Sequence, residues 1–201
     1  MFEIDTTKYV QNLIAGIDEV GRGPLAGPVV AACVVMPKDQ WIDGVNDSKK
    51  LSEKKRELLD KKIREKAIAV GIGYVGQDMI DRINIKNATK IAMKMALQNL
   101  KTAEGEFLVP EIVLIDAETI DTKIAQESFI KGDERCYPIA CASIVAKVFR
   151  DALMVQFDEC FPHYDFAHNK GYGTKKHREA LLKYGVCEIH RKSFLKKILY
   201  E

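Results

Sequence analysis

The chain is poor in residues that build covalent or soft-metal chemistry. Its five cysteines, Cys33, Cys136, Cys141, Cys160 and Cys187, are odd in number and include no CxxC pair. A disulfide framework or zinc knuckle is not expected, and Cys33 and Cys141, set among small apolar residues, read as buried thiols. No fixed His or Asn partner marks any of them as a nucleophile. Apolar runs are short as well. None approaches the roughly 18 residues of a membrane span, and the longest, Pro24 to Met36, is broken by Gly27 and Pro28. The start, Met1-Phe2-Glu3-Ile4-Asp5, has neither the basic nor the apolar region of a signal peptide. A cytoplasmic location without membrane partners is the expectation.

What is present fits a globular fold. Hydrophobic residues make up 47% and charged residues 30% of 201 positions, enough to bury a full core. The net charge of +2 hides a gradient. Residues 168–197 carry nine Lys/Arg against two Glu, whereas the remainder carries 22 basic against 27 acidic residues. All four histidines, His163, His168, His177 and His190, also lie in or near this basic end. An acidic body with a basic tail region suits a polyanion held against a metal centre; a solvated basic helix face is the alternative.

Periodicity gives a coarse map. Residues 13–20 and 28–36 read as strands joined by a glycine-rich turn, and Ala69–Val75 as a third. Ile112–Ile115 is a short apolar strand ending at Asp116, and Ser128–Ile130 reads as one more. Helices are expected from Ser52-Glu53 to about Ala67, over Asn87–Leu100, from about Ile139 to Phe157, and over Lys175–Lys183. Gly171 and Gly173 bracket Tyr172 in a loop. This mixture predicts an α/β fold with a central mixed β-sheet flanked by helices, and no internal repeat or linker divides it.

Acids stand where such a sheet builds its crevice. Asp18-Glu19 follows an apolar strand, Asp116 closes another, and Asp133 follows Ile130-Lys131-Gly132. Carboxylates are rarely buried unless paired or bound to metal. Clustered and unpaired, they repel by about 4 kcal/mol per pair at 4 Å in a medium of effective dielectric near 20. Oxygen ligands without His or Cys suit magnesium, manganese or calcium. Asp116 and Asp133 also read as turn or cap residues. Asp151 either joins the site or pairs with Arg150 or Lys147 on a helix surface. Two cations over such acids would support phosphoryl transfer without any Ser/His/Asp set.

Four segments read as substrate contacts. At Gly21-Arg22-Gly23 missing Cβ atoms let backbone groups reach a ligand, and a ribose 2′-OH is both donor and acceptor. Asp47-Ser48-Lys49-Lys50 offers a hydroxyl and ammonium groups to a phosphate, or caps a charged helix. Tyr172 in Lys170-Gly171-Tyr172-Gly173-Thr174 suits stacking on a sugar or base, or anchors the loop from inside. His190-Arg191-Lys192-Ser193-Phe194 suits phosphate contact or a C-terminal anchor.

Together, Gly16–Pro28, Asp47–Lys55, Leu114–Asp116, Lys131–Asp133, Ala142–Asp151 and Lys170–Phe194 resemble ribonuclease HII, the type 2 ribonuclease H family. The set spans nearly the whole chain in the family's order. The resemblance implies a ribonuclease H-like fold over residues 1–201, one catalytic domain with a small helical, basic, substrate-contacting C-terminal region at about 162–201. It implies hydrolysis of the RNA strand of RNA/DNA hybrids and incision 5′ to a single ribonucleotide in duplex DNA, leaving 5′-phosphate and 3′-hydroxyl ends. Asp18, Glu19, Asp116 and Asp133 would be the catalytic, metal-binding acids, holding Mg2+ or Mn2+, two ions with substrate bound. Gly21, Arg22 and Gly23 would read the 2′-OH, Tyr172 would pack on the following sugar, and Ser48 and Lys49 would approach phosphate. A monomer without a protein partner is expected. One position departs from the family pattern: Ala117 stands where glycine usually follows the third acid. Rival readings are a general two-metal DNA nuclease and a nucleic-acid-binding module driven by region 168–197.

Overall fold

The computed structural model describes residues 2–199, apart from the side chains at 197 and 199. Five strands form one sheet: β1 (Ile14–Val20), β2 (Val29–Val35), β3 (Ala69–Val75), β4 (Ile112–Asp116) and β5 (Ala125–Phe129). Their order is β3-β2-β1-β4-β5. β1 pairs antiparallel with β2 and β2 with β3, whereas β4 runs parallel to both β1 and β5. Among the described residues, seven α-helical spans accompany them: α1 (Glu53–Lys66), α2 (Gln77–Gln98), α3 (Gly132–Arg135), α4 (Tyr137–Cys160), α5 (Phe166–Asn169), α6 (Lys175–Tyr184) and α7 (Lys192–Leu199).

β2 is buried throughout, as its unbroken Val-Val-Ala-Ala-Cys-Val-Val sequence demands of a strand covered on both faces. Val29, Ala31, Cys33 and Val35 join the core beside α2; Val30, Ala32 and Val34 join the one beside α1 and α4. Each fully buried Val or Ile contributes about 1.5–3 kcal/mol. Helix α4 comes close because its first turns are small and because β1 carries Gly16. A Cβ there would collide with the Pro138 carbonyl. A third core of Leu25, Ala26, Met154, Phe166, Leu181 and Leu195 ties the C-terminal helices to the 21–28 loop. Among the described residues no helix is long and apolar enough to cross a membrane.

Several expected boundaries move. The span α2 is two helices meeting at a kink at Asn84 (φ 67°); the expected helix from Asn87 corresponds to the second, and the first, from Gln77, was not expected. β5 covers Ala125–Phe129 rather than Ser128–Ile130. Asp133 lies within α3 and not at a strand end, and α7 has no counterpart in the expected map.

Candidate active site

The register of the two central parallel strands places the first acids together. Ile17 stands opposite Ile115, so Asp18 and Asp116 follow side by side. β1 runs two residues past Asp18 to Val20, which keeps Glu19 in the sheet. Ligand oxygens of Asp18, Glu19 and Asp116 all lie within 4.8 Å of one another. Asp133 stands outside that trio, and the Lys49 ammonium lies 3.1 Å from its Oδ2.

Burial dominates the electrostatics. It drives the Asp18 carboxyl well above the usual range, with the charges of Glu19 and Asp116 adding to the rise. Glu19 is raised by burial, against the pull of Arg22. Asp116 is raised by burial although its Oδ1 accepts the Gly132 N–H at 2.6 Å. Among the described residues, Glu19 Oε2 is buried without a hydrogen-bond partner. Three oxygen donors, one of them orphaned, fit a hard divalent cation, which would restore the ionised state that burial opposes.

Next to the acids the Gly-Arg-Gly loop is held by the far end of the chain. Gly21 has φ 91°, and a Cβ there would strike the Arg150 side chain, so glycine is needed twice over. The Arg150 guanidinium donates to the carbonyls of Pro28, Lys170 and Ala26 at 2.9, 2.9 and 3.2 Å. Arg191 donates to those of Gly27, Arg22 and Gly21. Backbone bonds add to this: Leu25 N to Gly171 O, Gly27 N to Ile189 O and Arg191 N to Leu25 O. The loop is thereby sewn to the segment bearing Tyr172, whose ring Cε1 stands 3.9 Å from the place a Gly23 Cβ would take. Tyr172 is 44% exposed, so its ring faces outward rather than anchoring from inside. Arg22 reaches Glu19 at 3.5 Å and Glu118 at 3.7 Å.

Ser48 and Lys49 differ in access. Asp47 caps a 3-10 turn over Ser48–Lys50 by accepting the Lys49 N–H. The Ser48 hydroxyl is turned inward, 2.9 Å from that of Ser143, which itself interacts with Asp18. Lys49 remains largely exposed beside Asp133. Asp151 is buried and takes no part in the acid trio; Lys147 holds it at 2.7 Å and Arg56 at 3.8 Å. Arg150 is not its partner, because three carbonyls claim that guanidinium. The pattern Ala142, Ala146, Arg150, Met154 places this arginine on a buried helical stripe, a signal present in the sequence. The buried His190 and Arg191 follow the anchor reading of their segment and not the phosphate one.

Fold and site together define a hydrolase of the ribonuclease H type. The family model Ribonuclease HII matches residues 15–197. The chain is 58% identical over 186 residues to the ribonuclease HII of Alkaliphilus oremlandii, covering 92% of each. It is 56% identical over 186 residues to that of Alkaliphilus metalliredigens, covering 92% of this chain and 91% of the relative. The solved ribonuclease H2 of Pyrococcus horikoshii OT3 shares the fold at a TM-score of 0.74 and 24% identity, covering 92% and 96% of the two chains. The chain belongs to the ribonuclease HII family.

Proposed function

We propose that this ribonuclease H cuts the RNA strand of RNA/DNA hybrids and incises duplex DNA on the 5′ side of a single embedded ribonucleotide. The products carry a 5′-phosphate and a 3′-hydroxyl. The observation that supports this reading is the placement of the Tyr172 ring, whose Cε1 lies 3.9 Å from where a Gly23 Cβ would stand, on the loop that follows Asp18-Glu19. A backbone able to address a 2′-OH and an aromatic able to test the next sugar thus share one edge of the acid cluster.

Asp18, Glu19 and Asp116 would hold Mg2+ or Mn2+, with Asp133, now paired with the Lys49 ammonium, as the fourth acid of the set. Divalent cations bound there supply a water of lowered pKa and a counter-charge for the leaving oxygen. Gly21 and Gly23 present peptide groups to the ribose. The carbonyls of Gly21 and Arg22 are already engaged by Arg191, which fixes the peptide planes before substrate arrives. Ser48 acts from behind, orienting Ser143 against Asp18. The exposed Lys175, Lys176, Arg178 and Lys183 of α6 offer phosphate contacts that carry no sequence information.

An end-labelled duplex with one ribonucleotide tests this reading in Mg2+, Mn2+ and chelator. Cation-dependent cleavage at the 5′ side of the ribonucleotide is expected. An all-DNA duplex cut equally fast would replace it with a general nuclease.

A further inference from the structure

Behind the Tyr172 loop, two buried imidazoles form a hydrogen-bond relay. His177 Nδ1 lies 2.9 Å from the Tyr172 carbonyl oxygen, which also accepts the Thr174 N–H at 2.8 Å. The Nε2 atoms of His177 and His190 are 3.0 Å apart. The Cys187 backbone N–H is 2.9 Å from His190 Nδ1. The Cys187 Sγ and carbonyl oxygen also lie 3.0 and 3.3 Å from His190 Nδ1, the carbonyl already accepting the His190 N–H, so the shortest contact at each end of the relay is to a main-chain group whose role cannot change. A carbonyl only accepts, so His177 carries its proton on Nδ1 and its neutral ring accepts at Nε2. A backbone N–H only donates, so His190 accepts at Nδ1 and carries its proton on Nε2. The two assignments agree at the shared gap, where His190 Nε2–H donates to His177 Nε2. A further proton on either ring would break this order.

The rings are 0% and 2% exposed. Tyr164 lies 4.9 Å from His190 and Phe166 lies 5.3 Å from His177, centroid to centroid. In such an enclosure a satisfied relay is rigid, and a broken one is costly. Neither histidine belongs to the carboxylate trio. Packing alone would be met by any ring of this size, whereas here every ring nitrogen has a partner of the required polarity.

We propose that His177 and His190 are positioning residues for Tyr172: the relay fixes the Tyr172 carbonyl and, through it, the seat of the phenol ring beside Gly23. The proposal rests on the reading of Tyr172 as the residue that packs on the sugar after the ribonucleotide. Its consequence is that the pair governs the preference for a lone ribonucleotide over a continuous hybrid more than it governs hydrolysis.

The test measures kcat and KM on both substrates for the wild type, His177→Phe, His177→Asn, Tyr172→Ala and the His177→Phe/Tyr172→Ala double variant. His177→Phe keeps a ring and removes both bonds; His177→Asn retains a donor for the carbonyl. The single-ribonucleotide to hybrid ratio of kcat/KM should fall about tenfold in His177→Phe, the scale of one buried hydrogen bond. It should recover largely in His177→Asn. In the double variant it should fall no further than in Tyr172→Ala, since both changes act through one ring. An equal loss on both substrates in His177→Phe, or additive losses in the double variant, would overturn the proposal. A normal ratio in His177→Phe alongside a reduced one in Tyr172→Ala sinks the relay and spares the tyrosine reading. A normal ratio in Tyr172→Ala sinks both. Imidazole 15N correlation spectra of the wild type provide a check that needs no variant: His177 must be the Nδ1–H tautomer and His190 the Nε2–H tautomer, and the opposite form of either ends the argument.

Discussion

Arg191 donates a 2.6 Å hydrogen bond to the carbonyl of Gly21, 170 residues earlier in the chain. The same guanidinium serves Arg22 and Gly27, and it has no exposed surface. Burial and the nearby Arg150 push its pKa down to about 9, which leaves it charged at neutral pH. The charge is met by carbonyl dipoles arranged in a fork, a geometry that an ammonium does not reproduce. Arg191→Lys is therefore expected to lower stability by about 2–4 kcal/mol, the cost of leaving a buried charge short of partners. Thermal unfolding checks this. A midpoint within a degree of the wild type would mean that the fork contributes little.

The acid trio makes a second prediction with two readouts. Asp18 is held in an environment that opposes its charge. Asp18→Asn removes that charge and keeps the shape. Cleavage should fall by more than about 100-fold, beyond what loss of an outer-shell partner causes. Stability in chelator should rise, as often happens when a strained functional group is neutralised. Added Mg2+ or Mn2+ should raise the midpoint of the wild type and leave the variant's almost unchanged. Near-normal turnover of the variant would remove Asp18 from the reaction.

Much of this arrangement could be read from residue order, for identifiable reasons. β2 and β4 are continuous apolar runs, and their burial follows directly. Asp18, Glu19 and Asp116 were legible because acids rarely follow such runs without purpose. The edge strand β5 is mostly exposed, so it lacks the alternation that would fix its ends. The helix from Asn87 was legible, because Asn84 breaks the backbone just before it and accepts the Asn87 N–H; the segment from Gln77 ahead of that kink was missed. α7 is capped from 111 residues away, where Asp81 accepts the N–H groups of Lys192 and Ser193. No local signal encodes such a cap. The same holds for the Arg191 fork and for the His177–His190 contact, which exist only once distant segments meet.

Acid should weaken the fold through the same histidine pair. Burial and the adjacent His177 push the His190 pKa down from 6.5 to about 4, and burial lowers His177 as well. A depressed folded-state pKa means that the unfolded chain takes up the proton first. The pair's contribution is then complete above pH 6.5 and is lost as the pH falls toward 4. The raised carboxyls of Asp18, Glu19 and Asp116 act in the opposite sense, since their protonation favours the folded state over part of that range. A His190→Gln variant isolates the first effect. Melting in chelator between pH 7 and pH 4 should give the variant a flatter or rising profile relative to the wild type. Parallel profiles would assign the acid response elsewhere.

Ala117, the residue after Asp116, has φ 49°. The left-handed region costs a non-glycine residue about 1–2 kcal/mol. The strain is held in place by the Ala117 N–H, which donates to the Phe129 carbonyl at 3.0 Å and locks β4 to β5 just beyond Asp116. Glycine at this point would relieve the strain but would also widen the unfolded ensemble, which returns about 0.4–1 kcal/mol of the gain. Ala117→Gly should thus stabilise the protein by up to about 1 kcal/mol, or roughly 2–4 °C in a chain of this length. Asp116 keeps its backbone partner in Gly132, so cleavage rates should stay within about twofold, a difference well under 1 kcal/mol. A fall in the melting midpoint would show that the methyl group makes contacts outweighing the backbone strain. A large change in rate at constant stability would show that this turn tunes the reach of Asp116 toward the cation.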